Sequence, residues 1–329
     1  MKVMIIGLGS MGKRRIRLIK RFNEDYELIG IDANEERCLE VKRELNIACC
    51  LSIGEALQSG KIDCAFVCTS PLSHYEIISK LLEEGLPVFT EINLSDEGYD
   101  ELIEYNNRNN GLFLSSTFLY REDIQYIINM VKGHKVNYIY HTGQYLPDWH
   151  PWESYKNYFV KDKRTNGCRE ILAIELPWIL KCFGNVASVK VIKDNLSSLE
   201  LDYYDNYSIL VEHDNGSKGY IAVDVVARKP TRRLEIYNED IHLFWDGTPQ
   251  TLFEYDWTGK QLKHIKTYEN ILKDNKYCDN IIENAYMDEI IAFFDKIQGK
   301  KEREDRQTLV ENREVLRLIN LIEQTEEKI

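Results

Sequence analysis

The amino-acid sequence predicts an α/β protein of two domains, a doubly wound parallel sheet followed by an α+β domain with an open, mostly antiparallel sheet. Through residues 1–118, short apolar runs alternate with amphipathic helical segments, which is the rhythm of a parallel sheet covered on both faces. A glycine-rich turn separates the first apolar run from the first helical segment. In residues 119–329 the strand segments alternate apolar and polar residues, which is typical of strands with one face in water.

The glycine-rich turn, Gly7-Leu8-Gly9-Ser10-Met11-Gly12, follows the apolar run at residues 3–6. Its G-x-G-x-x-G spacing between a strand and a helix is the context in which this motif binds dinucleotides. The first glycine allows a tight turn, the second lets the backbone approach a pyrophosphate, and the third lets the helix pack on the strand. The backbone N–H groups of Ser10 and Met11 begin the helix and would face the phosphates.

A second apolar run, residues 26–31, ends in Asp32. An acidic residue about 20 positions after the glycines can accept a hydrogen bond from a ribose 2′-hydroxyl. The glycine turn, both apolar runs and Asp32 together predict a dinucleotide site.

Each element of the first domain has a local reason. The run at residues 62–69 is almost continuously apolar, as a buried parallel strand requires. Ser52 precedes a short helix and Glu55 stands three residues later, which is a capping box. Gly85 and Asn110-Gly111 stop two further helices. The predicted strands are residues 3–6, 26–31, 62–69, 87–90 and 112–116, and the predicted helices are residues 13–22, 34–45, 52–58, 72–84 and 96–109.

The second domain is predicted as a sheet with helices packed on it. Asn215-Gly216 between two alternating segments is a hairpin signal. The predicted strands are residues 136–145, 186–193, 207–212, 219–226, 232–237 and 241–245, and the predicted helices are residues 124–132, 169–182, 281–297 and 305–326. Many aromatics fall on the far face of this sheet, and a large apolar face of that kind indicates subunit contact. We expect a homodimer or homotetramer; core packing is the alternative.

Composition excludes several partners. The formal net charge of −12 argues against nucleic acid or an anionic membrane as the main partner. No apolar stretch is long enough for a membrane helix, and the first run is too short for a signal peptide. The eight cysteines include no C-x-x-C and no Cys/His cluster, so we expect no metal site and a reducing, cytoplasmic location.

Four segments carry a resemblance to a known family, namely the glycine-rich turn with Asp32, the run Cys68-Thr69-Ser70-Pro71-Leu72-Ser73-His74, residues 87–94 and residues 166–180. In their order and spacing the sequence resembles the Gfo/Idh/MocA family of dehydrogenases, over nearly the whole chain. The resemblance implies a Rossmann domain joined to an open-sheet substrate domain. It also implies NAD(P)-dependent oxidation or reduction of a sugar, an inositol or a sugar nucleotide.

For the cofactor, the resemblance implies that Thr69, Ser70, Pro71 and His74 border its riboses; for His74 the alternative is a packing histidine at the start of a helix. Asp32 favours NAD over NADP because a 2′-phosphate would meet a like charge. Arg37 is close enough in the sequence to complicate that preference.

The family's catalytic positions have changed in this sequence. Where the family has Glu-Lys-Pro, and its lysine polarises the reacting carbinol, this chain has Glu91-Ile92-Asn93. Where the family has an Asp and a His one helical turn apart, the alignment gives Ile171 and Glu175. Glu175 therefore becomes the predicted acid/base, because a desolvated glutamate can have its pKa raised into a useful range.

Other side chains complete the predicted site. Glu91, which we also place at the cofactor, Asn93 and His150 are predicted to assist catalysis. The candidate substrate-binding residues are Tyr120, Arg121, Trp149, Trp152, Lys163, Arg169 and Glu170. For Trp149 and Trp152 the alternative is an aromatic loop packed on the sheet edge, and for Glu170 and Glu175 it is helix-surface charge.

Three functions fit these residues. The first is an NAD-dependent oxidoreductase that acts on a CH–OH group of a sugar or sugar derivative. The second is a non-redox NAD-binding sensor or regulator, which the missing lysine and histidine would explain. The third is an epimerase or eliminase that uses tightly bound NAD through a transient ketone.

Overall fold

The computed structural model describes residues 1–151, 153–274, 281–300 and 305–325. Its contacts divide the chain into two compact units. The first unit consists of Met1–Ser116 and Tyr286–Arg313, and the second consists of Thr117–Ala285 and the described residues from Glu314 onward. All residues after 118 were expected in the second domain, whereas in the structure the chain returns and residues 286–313 pack with the first unit.

The first unit contains a sheet of six parallel strands in the order β3-β2-β1-β4-β5-β6. The strands are β1 (Lys2–Ile6), β2 (Glu27–Ile31), β3 (Ala48–Cys50), β4 (Cys64–Val67), β5 (Val88–Thr90) and β6 (Leu112–Leu114). The strand order reverses between β1 and β4, and in such sheets ligands bind outside the carboxyl ends of the strands at this point. The glycine-rich turn follows β1 at this end of the sheet.

Five helices belong to this unit in chain order, α1 (Ser10–Phe22), α2 (Glu35–Leu45), α3 (Ile53–Gln58), α4 (His74–Glu83) and α5 (Tyr99–Asn109). The core contains a row of stacked rings across three neighbouring strands, Phe66, Phe89 and Phe113. Phe293 packs edge-on against all three rings. These rings explain why the returning segment packs here, because it closes one side of the aromatic core.

The second unit contains an eight-stranded sheet in the order β14-β13-β12-β11-β7-β10-β9-β8. Its strands are β7 (Asn137–Gly143), β8 (Val186–Asp194), β9 (Asn206–His213), β10 (Lys218–Asp224), β11 (Thr231–Tyr237), β12 (His242–Trp245), β13 (Phe253–Asp256) and β14 (Gln261–His264). All neighbouring pairs are antiparallel except β7 with β10. The fold class predicted from the sequence, a parallel sheet followed by a mostly antiparallel one, is confirmed.

Two further helices of the second unit are α6 (Glu122–Val131) and α7 (Gly167–Phe183). One face of α7 lies on the sheet, where Trp178 meets the ring of Tyr140 from β7 edge-on. The last two helices, α8 (Glu283–Ile297) and α9 (Leu309–Gln324), each contain a boundary between the two units. No helix in the described part of the chain is long and apolar enough to span a membrane.

The far face of the second sheet exposes apolar side chains. Ile139, Leu210 and Tyr220 are 44%, 56% and 37% exposed. Tyr220 is paired in register with Ile139 on one side and with Leu210 on the other, so the three side chains form a continuous row across β7, β10 and β9. We call this row the outer apolar row.

Candidate functional site

The glycine-rich turn is closed at its first and third glycines and open at the second. Gly7 has φ +89°, a conformation that favours glycine, and a Cβ there would lie 2.6 Å from the carbonyl oxygen of Cys68. A Cβ on Gly12 would lie 1.9 Å from the carbonyl oxygen of Gly7, so α1 packs on the turn only without a side chain. A Cβ on Gly9 would meet nothing within 4 Å. The backbone is therefore bare on the side where a ligand would approach Gly9.

The carboxylate of Asp32 is fixed beside this turn by two backbone donors. The N–H of Leu8 donates to Oδ2 at 2.9 Å, and the N–H of Asn34 donates to Oδ1 at 2.9 Å. Arg37 is half-exposed, with Nη1 3.7 Å from Asp32 Oδ2. Each carboxylate oxygen keeps a free lone-pair direction, so Asp32 can still accept from a ligand hydroxyl.

These residues fit a dinucleotide. At Gly9 the open space is a cradle that a Cβ would fill, and α1 starts directly after it at Ser10 with no acidic residue in its first turn. The N–H groups at Ser10 and Met11 have no partner within the helix because they belong to its first turn. Backbone donors, a positive helix end and a fixed carboxylate are the set that a pyrophosphate and a ribose require.

His74 joins the two loops beyond β4 and β5. It is 2% exposed. Its Nε2–H donates to the carbonyl oxygen of Thr69 at 3.1 Å, and its Nδ1 lies 2.7 Å from the side-chain amide of Asn93. Burial lowers the pKa of His74, although its hydrogen bonds oppose that shift. These contacts fit the packing role that was the alternative for His74, and its contact with the cofactor stays a prediction. Ser70 is exposed, and Thr69 and Pro71 are half-buried.

Asn93 belongs to the same buried network. Its amide donates to the hydroxyl of Tyr99 at 2.9 Å, and that hydroxyl donates to Asn312. Asn93 is 3% exposed. These contacts do not support the predicted catalytic role, because the amide is used to hold the loop after β5.

Glu91 is bound by a fully buried arginine. Arg15 donates from Nε to Glu91 Oε1 at 2.6 Å and from Nη2 to Oε2 at 3.2 Å. The same guanidinium donates to Glu289 at 2.9 Å. Burial and the charge of Glu91 raise the pKa of Glu289, although Arg15 opposes the shift. Both carboxylate oxygens of Glu91 are thus occupied by charge-assisted hydrogen bonds, which fits a role in positioning its loop and does not support a role as the base.

Glu175, the predicted acid/base, lies in the core of the second unit at 1% exposure. Its Oε2 accepts from the hydroxyl of Tyr140 and from the indole N–H of Trp178, both at 2.7 Å. Its Oε1 accepts from Arg232 Nε at 2.8 Å. A buried carboxylate needs such partners, and the donors from Tyr140 and Arg232 tie α7 to the sheet, while Trp178 is on α7 itself. The arrangement does not support Glu175 as the base.

Glu170, predicted to bind substrate, is the residue of α7 with the free oxygen. Its Oε2 is buried and has no hydrogen-bond partner among the described residues. Burial raises the pKa of Glu170 to about 7. The hydroxyls of Tyr158 and Tyr203 are likewise buried without a partner in the described part of the chain, and Glu170 contributes to the raised pKa of Tyr158 after burial itself. Three unsatisfied polar atoms in one region indicate a place for a polar ligand or for water.

His150 lies on the rim of this group of atoms. Its ring stacks on Tyr158 at 4.5 Å, and its Nδ1 lies 3.1 Å from Glu153 Oε1. The imidazole is partly exposed. Its predicted assisting role stays a prediction.

Most other predicted substrate contacts have structural partners. Arg121, 2% exposed, donates to both carboxylate oxygens of Asp123 and to the carbonyl oxygen of Gly247. Tyr120 is 3% exposed. Arg169 binds Glu323 and Asn320 and so fixes the start of α7 to α9. A substrate contact is not supported for these three residues.

The remaining predicted substrate residues lie before α7. Trp149 donates from its indole N–H to the carbonyl oxygen of Gln144 at 3.0 Å and packs beside Gly167, as an aromatic loop on the sheet edge would. Lys163 is exposed. Trp152 lies outside the described residues.

Sequence reasoning missed Arg232, Tyr158 and Tyr203. Arg232 had a usable signal, because it shares the apolar face of its strand with Leu234 and Ile236, and a cation on a buried face requires a counter-charge. The two tyrosines had no signal, since the turns and loops that carry them show no periodicity.

Comparison with known proteins identifies the first unit. Residues 1–114 match the GFO_IDH_MocA family model, described as "Oxidoreductase family, NAD-binding Rossmann fold". Among curated proteins, none is significantly similar in sequence.

Solved structures match the whole fold. UDP-N-acetylglucosamine 3-dehydrogenase from Acidithiobacillus ferrooxidans is 18% identical with a TM-score of 0.75, over 98% of this chain and 96% of that one. An oxidoreductase from Agrobacterium radiobacter in complex with NAD+, L-tartaric acid and magnesium is 14% identical, with a TM-score of 0.76 over 97% and 94% of the two chains. A myo-inositol dehydrogenase from Corynebacterium glutamicum is 17% identical, with a TM-score of 0.73 over 98% and 95%.

The parallel sheet and the glycine cradle define the first unit as a Rossmann domain, and the family model that it matches describes NAD-binding oxidoreductases. Residues 1–114, about a third of the chain, are thus similar to the Gfo/Idh/MocA family of oxidoreductases.

Proposed function

We propose that this protein is an NAD-dependent oxidoreductase acting on a CH–OH group of a sugar or sugar derivative. The observation that carries the proposal is the cradle at Gly7, Gly9 and Gly12 with the fixed carboxylate of Asp32 beside it. NAD is preferred over NADP because Asp32 would repel a 2′-phosphate. The half-exposed Arg37 only partly offsets this charge.

Sugar chemistry is supported by the proteins of the same fold, which include a sugar-nucleotide dehydrogenase and an inositol dehydrogenase. The two proteins are 18% and 17% identical to this chain, so a sugar substrate is proposed here from the shared fold.

When bound, the nicotinamide supplies the hydride acceptor or donor. The chain must then move the hydroxyl proton, and an acid/base works best when its pKa lies near the operating pH. We assign this proton to Glu170, whose pKa is raised by burial to about 7 and whose Oε2 has no partner among the described residues. Glu175 and Glu91 each pair with an arginine within their own unit, so their oxygens are already occupied.

The test combines binding with turnover. NADH and NADPH are titrated by fluorescence, and a panel of sugars, inositols and sugar nucleotides is then assayed by NADH absorbance. We expect NADH to bind more tightly than NADPH and at least one panel member to give turnover. Tight NADH binding with no turnover across the panel would contradict the redox proposal, and failure of both cofactors to bind would overturn the whole assignment.

One observation favours a second function. Ile92 replaces the lysine, and the two acidic residues at the family's catalytic positions are held in ion pairs. This pattern fits a protein that binds NAD as a sensor or regulator, or an epimerase or eliminase that keeps NAD tightly bound. NAD that co-purifies and resists exchange, together with substrate conversion without net NADH, would favour the epimerase or eliminase.

A further inference from the structure

The turn between β10 and β11 is basic in an otherwise acidic protein. Residues 228–233 contain Arg228, Lys229, Arg232 and Arg233, while the whole chain has a formal net charge of −12. Arg228, Lys229 and Pro230 are exposed. A local concentration of positive charge on such a background attracts anions.

The nearest carboxylates in the sequence do not neutralise this turn. Asp224 uses Oδ2 on His141, with Nε2 2.7 Å away, and Oδ1 accepts from the backbone N–H groups of Val226 and Ala227. Glu235 accepts from His242 at 3.0 Å. Arg228 and Lys229 have no carboxylate partner among the residues that the structure describes.

The side chain of Arg228 stacks on an aromatic ring. Its Cζ lies 3.6 Å from the ring centroid of Tyr145, so the guanidinium rests on the face of the ring. The backbone next to Arg228 is joined to the backbone of Tyr145, since the N–H of Tyr145 donates to the carbonyl oxygen of Ala227 at 2.7 Å. Stacking uses the face of a guanidinium and leaves the N–H donors at its edge for an oxyanion, which they match in a bidentate arrangement.

The strand that follows separates the two remaining cations. Arg232 points to the α7 side of the sheet, where it binds Glu175. Arg233 is the next residue, so its side chain points to the opposite face, where it is exposed. Arg228 with Lys229 therefore forms the available pair, and Arg233 provides a matched cation outside it. We call Arg228 and Lys229 the basic pair.

We propose that the substrate carries an oxyanion group, a phosphate ester or a carboxylate, and that the basic pair binds this group. This inference rests on the proposed function, because it specifies the class of sugar derivative that the enzyme takes. It also gives a role to Tyr145, which precedes the candidate substrate residue Trp149 in the chain and supports the guanidinium of Arg228.

The direct test uses inorganic pyrophosphate as a probe, titrated by calorimetry with and without NADH. The double variant Arg228→Ala/Lys229→Ala is compared with wild type and with Arg233→Ala. We expect the double variant to lose about tenfold or more of the affinity, since charge-assisted hydrogen bonds are the strong ones. We expect Arg233→Ala to bind like wild type, and the wild-type affinity to fall with added salt.

A second set of probes separates the two sources of the oxyanion. Glucose, glucose 6-phosphate and glucuronate share one ring and differ in charge. Tighter binding of glucose 6-phosphate alone assigns a phosphate, tighter binding of glucuronate alone assigns a carboxylate, and tighter binding of both assigns a general oxyanion site.

The inference is overturned if wild type does not bind pyrophosphate, or if the double variant binds it as wild type does. It is also overturned if Arg233→Ala loses as much affinity as the double variant, or if neither charged sugar binds more tightly than glucose. NADH affinity, measured on the same samples, keeps the two proposals apart. Retained NADH binding with no anion preference removes only this inference, whereas loss of NADH binding in wild type removes the proposed function.

Discussion

Asp32 stabilises its own turn through the N–H groups of Leu8 and Asn34, and it is also the proposed ribose ligand. We expect Asp32→Ala to weaken NADH binding about tenfold or more, since a hydrogen bond to a charged group is worth about 1.5–3 kcal/mol. NADPH binding should fall less, because the like charge is also removed. Fluorescence titration of both cofactors measures the change.

The control for the lost charge is Glu35→Gln, which removes an exposed carboxylate at the start of α2. Equal effects of Asp32→Ala and Glu35→Gln would show that Asp32 makes no specific contact with the cofactor.

Glu170 gives the second prediction at this scale. For alcohol oxidation, kcat/KM of wild type should rise with pH and level off above about pH 7, because the carboxylate must be ionised to accept the proton. Glu170→Gln should lose this limb and about 100-fold or more of the rate. The pH–rate profile of both proteins measures it, and an unchanged limb in the variant would contradict the assignment.

The carboxyl of Glu170 should also make the free energy of unfolding depend on pH. Its pKa is raised by burial from 4.5 to about 7, so the folded protein holds the proton more tightly than the unfolded chain. Its stabilising contribution is therefore fully present below about pH 4.5 and is lost as the pH rises through 7. The free energy of unfolding of wild type, measured with urea, should therefore fall over this pH range relative to that of Glu170→Gln.

Glu175 should behave differently from Glu170. Glu175→Ala leaves Arg232 without its buried partner and should cost about 3–5 kcal/mol of unfolding free energy. Tyr140→Phe removes one hydrogen bond to the same carboxylate and should cost only about 1 kcal/mol. Urea unfolding measures both, and a fully stable but inactive Glu175→Ala would restore it as a catalytic candidate.

At the scale of elements, the glycine-rich turn before α1 contains one glycine that packing requires, Gly12, and one that only a ligand would require, Gly9. Gly12→Ala places a Cβ 1.9 Å from the carbonyl oxygen of Gly7, so α1 must shift, and we expect a loss of about 2 kcal/mol or more. Gly9→Ala meets no atom within 4 Å and should leave the Tm unchanged.

NADH binding distinguishes the two variants further. Gly9→Ala should bind NADH about tenfold or more weakly, about 1.4 kcal/mol, because its methyl group lies in the cradle. Thermal melting and NADH titration together measure this contrast, and wild-type NADH affinity in Gly9→Ala would place the cofactor elsewhere.

The sequence predicted the elements whose signals are local. Ser52 caps its helix by accepting from the N–H of Glu55, and the turn at Asn215-Gly216 joins β9 to β10 as expected. The strands β3, β13 and β14 were missed, since they are short and none of their residues is buried, so no apolar run marks them. The glycine turn and Asp32 were found in the same way, because their positions are close in sequence.

The partners of the candidate acidic residues could not be predicted by the same means. Glu175 meets Tyr140 and Arg232 from 35 and 57 positions away, and Glu91 meets Arg15 from 76 positions away. Which glutamate is free depends on these long-range contacts. Burial alone predicted a role for Glu175, but only tertiary structure shows that its oxygens are occupied and that one oxygen of Glu170 is not.

At the scale of the whole molecule, the outer apolar row gives a test of self-association. We propose that a second copy of the chain covers Ile139, Leu210 and Tyr220, which stay 44%, 56% and 37% exposed in one chain. Leu210→Glu should convert the oligomer to monomer, because it buries an unpaired charge in the contact. Light scattering after size exclusion measures the mass.

Leu39, 60% exposed on α2, provides the matched control. Leu39→Glu adds the same charge on the first unit and should leave the mass unchanged. A monomeric wild type, or an oligomer that survives Leu210→Glu, would remove the proposed contact.

The return of residues 286–313 to the first unit sets the order in which the chain can fold during synthesis. When residues 1–116 have left the ribosome, Phe66, Phe89 and Phe113 still lack Phe293, and Arg15 still lacks Glu289. Both missing side chains are made only after the whole of segment 117–285. The nascent Rossmann unit therefore carries an open aromatic face through most of translation, and it closes its core only after almost the entire polypeptide has emerged.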